Sequence, residues 1–163
     1  MTINQKDKGR RWERDATKKL NEKIDNGDFK RIPGSGAMGT ILKEPLLASD
    51  IQGSVPFLDK KLIFEAKVGY GGTKYMTIRK EWFDKVAEEA ETALGIPALV
   101  CKFDNVRVGT SVFIAFDIDV FADIMNEMSD MHKELTKVYN RLAELENDVC
   151  DECKKNNILI CTH

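Results

Sequence analysis

The sequence lacks several features that would place it in common protein classes. It contains no apolar run of the ~20 residues needed to cross a bilayer. Residues 1–6 lack the apolar segment of a secretory signal. Without an export signal, the four cysteines are better interpreted as thiols or metal ligands than as a disulfide framework. We therefore expect a cytoplasmic protein with no membrane partner.

Histidine is scarce, and positive charge is unevenly distributed. Neither of the two histidines is placed to act as a general base. The net charge is −2, but residues 1–31 carry ten Lys/Arg against six Asp/Glu, a local charge of +4. Residues 121–153 carry three against nine, a local charge of −6. Phosphate binding depends on the local patch, so we expect nucleic acid near the first segment and away from the second.

Hydrophobic periodicity predicts an α/β domain with the order αβββαββ, followed by a long helix. The 163 residues suffice for one domain of ordinary size with an appendage. Cys101, on the apolar fourth strand, is interpreted as a buried core thiol. The predicted elements are helices at 10–26 and 77–94 and strands at 29–32, 49–54, 60–67, 97–103 and 111–116.

Three charged residues on two short strands form the strongest chemical pattern. Alternation along a strand places Glu65 and Lys67 on one face, and an adjacent strand ending at Asp50 can bring a second carboxylate beside Glu65. Two carboxylates in a partly dry site repel, and a divalent cation relieves that repulsion. A lysine beside the metal can orient water and stabilise charge on a phosphate. Alone, a Glu-x-Lys pair also occurs on ordinary solvated strands.

The surrounding sequence strengthens the pattern. The first predicted helix carries Glu13 among basic residues, and residues 31–36 (Arg-Ile-Pro-Gly-Ser-Gly) begin an unusually long loop at 33–48. In this order, residues 8–117 resemble the PD-(D/E)xK nuclease superfamily, most closely the archaeal-type Holliday junction resolvases. Ser49 stands where the motif has proline, which the superfamily tolerates. The stretch from Ser35 to Asp50 looks longer than in the resolvases.

The resemblance implies a role for each matching residue. Asp50 and Glu65 would ligate Mg²⁺ or Mn²⁺ together with the carbonyl of Ala66, and Lys67 would align the attacking water. Glu13 matches the helix-borne acid of the family, and Ser35 matches the serine near the scissile phosphate. The candidate DNA-binding residues are Lys8, Arg10, Arg11, Arg14 and Arg31.

Residues 121–149 show an a/d heptad pattern over four heptads. The apolar positions are Phe121, Ile124, Met128, Met131, Leu135, Val138, Leu142, Leu145 and Val149. Alternating spacings of three and four are typical of a coiled coil. A helix packing on its own domain would favour a broader apolar stripe, whereas the e and g positions here are mostly charged. An interchain coiled coil is the favoured interpretation.

A cysteine-rich tail follows the heptads. Cys150, Cys153, Cys161 and His163 lie within fourteen residues and supply a Cys₃His set for structural Zn²⁺. A Cys-x-x-Cys turn would give two of the thiolates. The alternative is a frayed tail with incidental cysteines.

The combined hypothesis is a restriction-endonuclease-like mixed sheet flanked by helices, with a coiled-coil helix and a zinc-binding tail. We expect a nuclease domain at 1–119, a coiled coil at 120–149 and the tail at 150–163. The resemblance implies a homodimeric endonuclease of DNA recombination and repair, which resolves four-way junctions by paired nicks. Two alternatives remain open: another endonuclease of the superfamily acting on duplexes or flaps, and a non-catalytic assembly protein that binds nucleic acid.

Overall fold

The computed structural model describes residues 4–33, 49–69, 75–103 and 111–155, with side chains as far as residue 145. The chain divides into two compact units, Met1–Ala122 and Asp123–His163. The predicted loop at 33–48, including Ser35, lies almost wholly outside the described residues, as do Cys161 and His163. In the described part of the chain, no helix is both long and apolar enough to cross a membrane.

The first unit contains a five-stranded mixed sheet with spatial order β1-β2-β3-β4-β5. Strands β3 and β4 are parallel, and the other neighbouring pairs are antiparallel. The predicted mixed α/β sheet flanked by helices is confirmed. The strands are β1 (Asp28–Arg31), β2 (Ile51–Ser54), β3 (Leu62–Val68), β4 (Ile96–Lys102) and β5 (Val112–Ala115).

Helix α1 (Gln5–Lys23) begins five residues earlier than predicted. The side chain of Asn4 accepts a hydrogen bond from the backbone N–H of Lys6, which caps the new first turn. Trp12, Ala16 and Leu20 recur at intervals of four and are buried. The Trp12 indole also donates a hydrogen bond of 3.2 Å to the carbonyl of Val100, which fastens α1 to β4.

Helix α2 (Lys80–Thr92) connects the two parallel strands and covers one face of the sheet. Its Val86 and Ala90 pack in one buried cluster with Ile63 of β3 and with Leu99 and Cys101 of β4. Cys101 is a buried free thiol, as predicted, and its burial raises the pKa to about 11. The alternation of strand side chains directs Glu65 to the same face as Ile63, toward α2.

A tight connection sets the register between α2 and β4. Leu94 takes the left-handed conformation, with φ of 51°, after the end of the helix. A Cβ added to the next residue, Gly95, would lie 2.5 Å from Cγ1 of Ile63, so only glycine fits there without a shift of the core.

Helix α3 (Ile118–Lys155) runs into the second unit and contains all the heptad positions. From residue 121 to 145, every a and d residue except Ile124 is exposed, including Leu135 at 50% and Val138 at 56%. The backbone is helical through Cys150 and Cys153, so the turn predicted for this Cys-x-x-Cys pair is wrong.

Candidate active site

Asp50 and Glu65, the predicted acidic pair, lie side by side, the first just before β2 and the second in the middle of β3. Asp50 immediately precedes β2, rather than ending a strand as the sequence suggested, and its backbone N–H donates to the carbonyl of Phe64 at 3.0 Å. Its carboxylate Oδ2 accepts the backbone N–H of Ala66 at 2.9 Å. Because β2 and β3 are antiparallel with Ile51 opposite Phe64, Asp50 lies across from Glu65.

Ser49 explains why the motif proline is missing here. Its φ of 57° is left-handed, whereas proline is fixed near −65° and could not adopt this backbone. The side chain is fully buried, and its hydroxyl donates a hydrogen bond of 3.3 Å to Oε2 of Glu65. Ser49 therefore turns the chain and fixes one carboxylate of the pair.

Glu65 is buried, with 3% of its surface exposed, and is held by two lysines. Lys67 of β3 binds Oε1, and Lys85 of α2 binds Oε2 at 2.7 Å. Burial alone would raise the pKa of Glu65, but the charges of Lys67 and Lys85 hold it below its ordinary value. Burial opposes the charged form of Lys85 as well, yet its pKa is raised because Glu65 faces it. Glu65 is therefore an ionised carboxylate.

The pKa of Asp50 is shifted in the opposite direction to that of Glu65. Burial and then the neighbouring charge of Glu65 raise its pKa from 3.8 to about 6, although the hydrogen bond from Ala66 acts against this. After burial, the charge of Glu65 is the second cause of the raised pKa, as expected for two neighbouring carboxylates that repel. Two neighbouring carboxylates, of which one still has a raised pKa, are a donor set that suits a hard divalent cation such as Mg²⁺.

The lysine of the motif is positioned by an aromatic ring as well as by Glu65. The Lys67 ammonium lies 5.3 Å from the centroid of the Trp82 ring on α2, within the range of a cation–π interaction. These two contacts hold its charge beside the acidic pair.

Glu13 and Arg31 form an ion pair with each other. Arg31 Nε donates to Glu13 Oε2 at 2.6 Å, and both side chains are largely buried. Glu13 also contributes to the raised pKa of Asp50, which places it near the acidic pair. The sequence predicted both residues for the site but did not predict their mutual ion pair.

The basic residues of α1 have different environments. Lys8 is half-buried, and its ammonium donates to the carbonyl of Gly69, just beyond β3, at 3.2 Å. Arg10, Arg11 and Arg14 are exposed on the helix. They present positive charge to solvent, as a phosphate-binding surface requires.

Lys85 is the site residue that sequence reasoning missed. Spacing offers one signal: Trp82, Lys85 and Glu89 share a helical face with the buried Val86, so this face is turned toward the sheet.

In the part of the chain that the structure describes, no three His, Cys, Asp or Glu side chains converge as a preformed metal cluster. The acidic pair would need the backbone carbonyl of Ala66, or groups from bound substrate, to complete a coordination sphere.

A mixed sheet carrying an Asp, a Glu and a Lys in this arrangement is typical of PD-(D/E)xK nucleases, which generally use divalent metal ions such as Mg²⁺. The model of the phage putative PDDEXK endonuclease family matches residues 4–160. The chain therefore belongs to this family.

Among solved structures, the chain is similar to Hjc, a Holliday junction resolvase from the archaeal hyperthermophile Archaeoglobus fulgidus. The two are 15% identical, with a TM-score of 0.46, and the likeness covers 67% of this chain and 75% of the other. A comparison with curated proteins finds no match.

Proposed function

We propose that this protein is a divalent-metal-dependent endonuclease that resolves four-way DNA junctions by paired nicks. The observation that carries the nuclease assignment is the pairing of the half-buried Asp50 with the buried Glu65, with Lys67 beside them. The family match supports the same reaction class. The choice of junctions rests on the order of motifs in the sequence and on the two-fold arrangement that such a substrate requires.

In this proposal, Asp50, Glu65 and the carbonyl of Ala66 hold Mg²⁺ or Mn²⁺. The bound metal would activate water and stabilise negative charge on the phosphate. Lys67 aligns the water and adds a fixed positive charge beside the phosphate, in a site partly screened from solvent. Glu13 keeps Arg31 oriented near the acidic pair through their 2.6 Å contact. Ser35 acts near the scissile phosphate.

The basic residues of the first unit bind the DNA backbone. Arg10, Arg11 and Arg14 are exposed on α1, and Lys8 lies beside the end of β3. Arg31 completes the set next to the acidic pair. Phosphate contacts of this kind position a nucleic acid without reading its sequence, which suits a substrate recognised by its branched structure.

The exposed heptad face of α3 supports a homodimer. Junction resolution needs two nicks in strands of like polarity, symmetric about the branch point, and each chain has one site. A two-fold dimer is the simplest arrangement that provides both. Pairing of two α3 helices would bury the a and d positions, which together form an apolar seam. In a parallel pair, Arg141 at a g position could reach Glu146 of the partner helix.

The tail is proposed to bind structural Zn²⁺ through Cys150, Cys153, Cys161 and His163. The four residues match the ligand types of a closed zinc site. Such a site would terminate the coiled coil and take no part in cleavage.

A substrate panel tests the proposed function. The full chain is incubated in Mg²⁺ with a four-way junction, a flap, a linear duplex and a single strand of matched sequence. We expect paired symmetric nicks in the junction and little cutting of the others, with no cutting in a chelator. Equal or preferential cutting of flap or duplex would reassign the substrate, and binding without cutting of any DNA would reject the nuclease.

A further inference from the structure

Lys85 contacts two carboxylates at unequal distances. Its ammonium is 2.7 Å from Oε2 of Glu65 and 3.4 Å from Oε1 of Glu89, one turn further along α2. The other oxygen of Glu89, Oε2, is buried and has no hydrogen-bond partner in the described part of the chain. A buried carboxylate oxygen without a partner is costly, so Glu89 has unused capacity to accept a donor.

Both oxygens of Glu65, in contrast, already accept donors. Lys67 binds its Oε1, while Lys85 and the Ser49 hydroxyl both reach Oε2. A divalent cation that takes Glu65 as a ligand would lie close to two ammonium groups, and like-charge repulsion favours displacing one of them or loosening its contact.

The two lysines differ in how easily they can leave Glu65. Lys67 is on the same strand as Glu65, two residues away, and the Trp82 ring holds its ammonium in place. Lys85 extends from α2, is half-buried, and already touches a second acceptor. Rotation of its side chain toward Glu89 would release Glu65 and tighten the existing ion pair with Glu89, without exposing a buried charge.

We propose that Lys85 is a resident counter-ion of Glu65 that yields this carboxylate to the divalent metal and transfers to Glu89. The inference rests on the metal site in the proposed function. Before metal binds, Lys85 partly compensates the repulsion between the buried Glu65 and the half-buried Asp50. When metal binds, Glu89 receives the displaced ammonium through its free oxygen. Lys85 and Glu89 are thus positioning residues that set how tightly the site takes its metal.

The proposal makes opposite predictions for the two residues. Lys85→Met removes the competing cation, so the metal should bind about tenfold more tightly or better. Glu89→Gln removes the acceptor for the displaced ammonium, so binding should weaken severalfold. Because Glu89 acts through Lys85, Glu89→Gln should have little further effect in a Lys85→Met background. Lys85→Arg keeps the positive charge, so its affinity for the metal should remain close to that of the wild type.

Calorimetric titration of the full chain with Mn²⁺, without DNA, measures these affinities directly. Lys80→Met is the matched control, since Lys80 is also on α2 and also pairs with the residue four positions later, but both partners are exposed. Its affinity for Mn²⁺ should equal that of the wild type. Asp50→Asn should greatly weaken binding and thereby locate the titrated site.

The outcomes separate this inference from the proposed function. If the wild type binds Mn²⁺ and Asp50→Asn does not, the metal site stands. Unchanged or weaker binding by Lys85→Met would then overturn the role of Lys85 alone. The role of Lys85 would also be overturned if Glu89→Gln weakened Mn²⁺ binding as strongly in the Lys85→Met background as in the wild type. If Lys85→Met fails to fold, Lys85→Gln replaces it in the series. Absence of Mn²⁺ binding by the wild type would remove the metal site and this inference together.

Discussion

The two units of this protein place their apolar side chains in opposite ways. In the unit Met1–Ala122, large apolar residues such as Ile63, Phe64 and Leu99 are buried, and a core lies on the sheet. In the helical part of the unit Asp123–His163, the regular apolar positions from Met128 to Leu145 remain between 38% and 56% exposed. The first unit buries its own apolar residues, whereas the described part of the second leaves a regular apolar pattern exposed, which is the basis for the proposed helix pairing.

The same contrast applies to charge. The second unit keeps its ion pairs at the surface, where each contributes little to stability. The first unit buries Glu65 and surrounds it with two lysines and a second acid. Burying charge costs free energy, and the proposed nuclease chemistry gives a reason for the fold to retain such a cluster.

Removing a charged residue from the buried cluster should have the largest effect. Glu65→Gln should abolish cleavage, because it removes a proposed metal-ligating charge, while junction binding is preserved or tightened. Lys67→Ala should cost roughly 3 kcal/mol or more in barrier stabilisation, equivalent to a rate loss of at least about a hundredfold. Single-turnover cleavage measures both. Lys80→Ala removes an exposed lysine nearby in sequence and should leave the rate unchanged.

Placing charges at the apolar a positions of α3 should prevent the proposed pairing of two α3 helices. Leu135→Asp with Leu142→Asp places charges at two a positions and should strongly weaken self-association, which sedimentation velocity detects. Asn126→Asp with Asn140→Asp adds equal charge at outward f positions and should leave association intact. A seam variant that still sediments as the wild-type oligomer would show that α3 is not the main contact. If it becomes monomeric, paired junction cleavage should decline to slow uncoupled nicking.

Neutralising Asp50 should stabilise the first unit while inactivating it. The folded-state pKa of about 6 lies above the ordinary 3.8, so ionising Asp50 costs stability that is intact below pH 4 and lost as pH rises through 6. Asp50→Asn avoids this loss and should gain up to about 3 kcal/mol at pH 8, with almost no gain at pH 4. Chemical denaturation in a chelator at both pH values measures the difference. An equal effect at the two pH values would contradict the electrostatic explanation, and saturating Mg²⁺ should reduce the gain.

Much of the first unit could be predicted from local patterns. Period-two and period-3.6 hydrophobicity predicted each strand and helix of the sheet domain, and the spacing of Glu65 and Lys67 predicted their shared face. Lys85 was missed because its role depends on how α2 packs across β3, a contact over twenty residues of sequence. The left-handed backbone of Ser49 also left no clear sequence signal, since serine is compatible with many conformations.

Removing the tail should have the smallest effect on catalysis. If Cys150, Cys153, Cys161 and His163 bind zinc, the purified protein should contain about one zinc per chain. Deletion of residues 150–163 should remove the zinc and leave metal-dependent nicking by the first unit intact. Elemental analysis that finds no zinc in protein prepared without chelators would reject the site.

The most direct test of the central claim compares the wild type with Asp50→Asn on one labelled four-way junction. Single-turnover cleavage and equilibrium binding are measured side by side, the first in Mg²⁺ and the second in Ca²⁺ to prevent cutting. The wild type should introduce symmetric nicks in two strands of like polarity, and Asp50→Asn should bind at least as tightly without cutting. Cleavage by Asp50→Asn at the wild-type rate would contradict the assignment of Asp50, Glu65 and Lys67 as the nuclease centre.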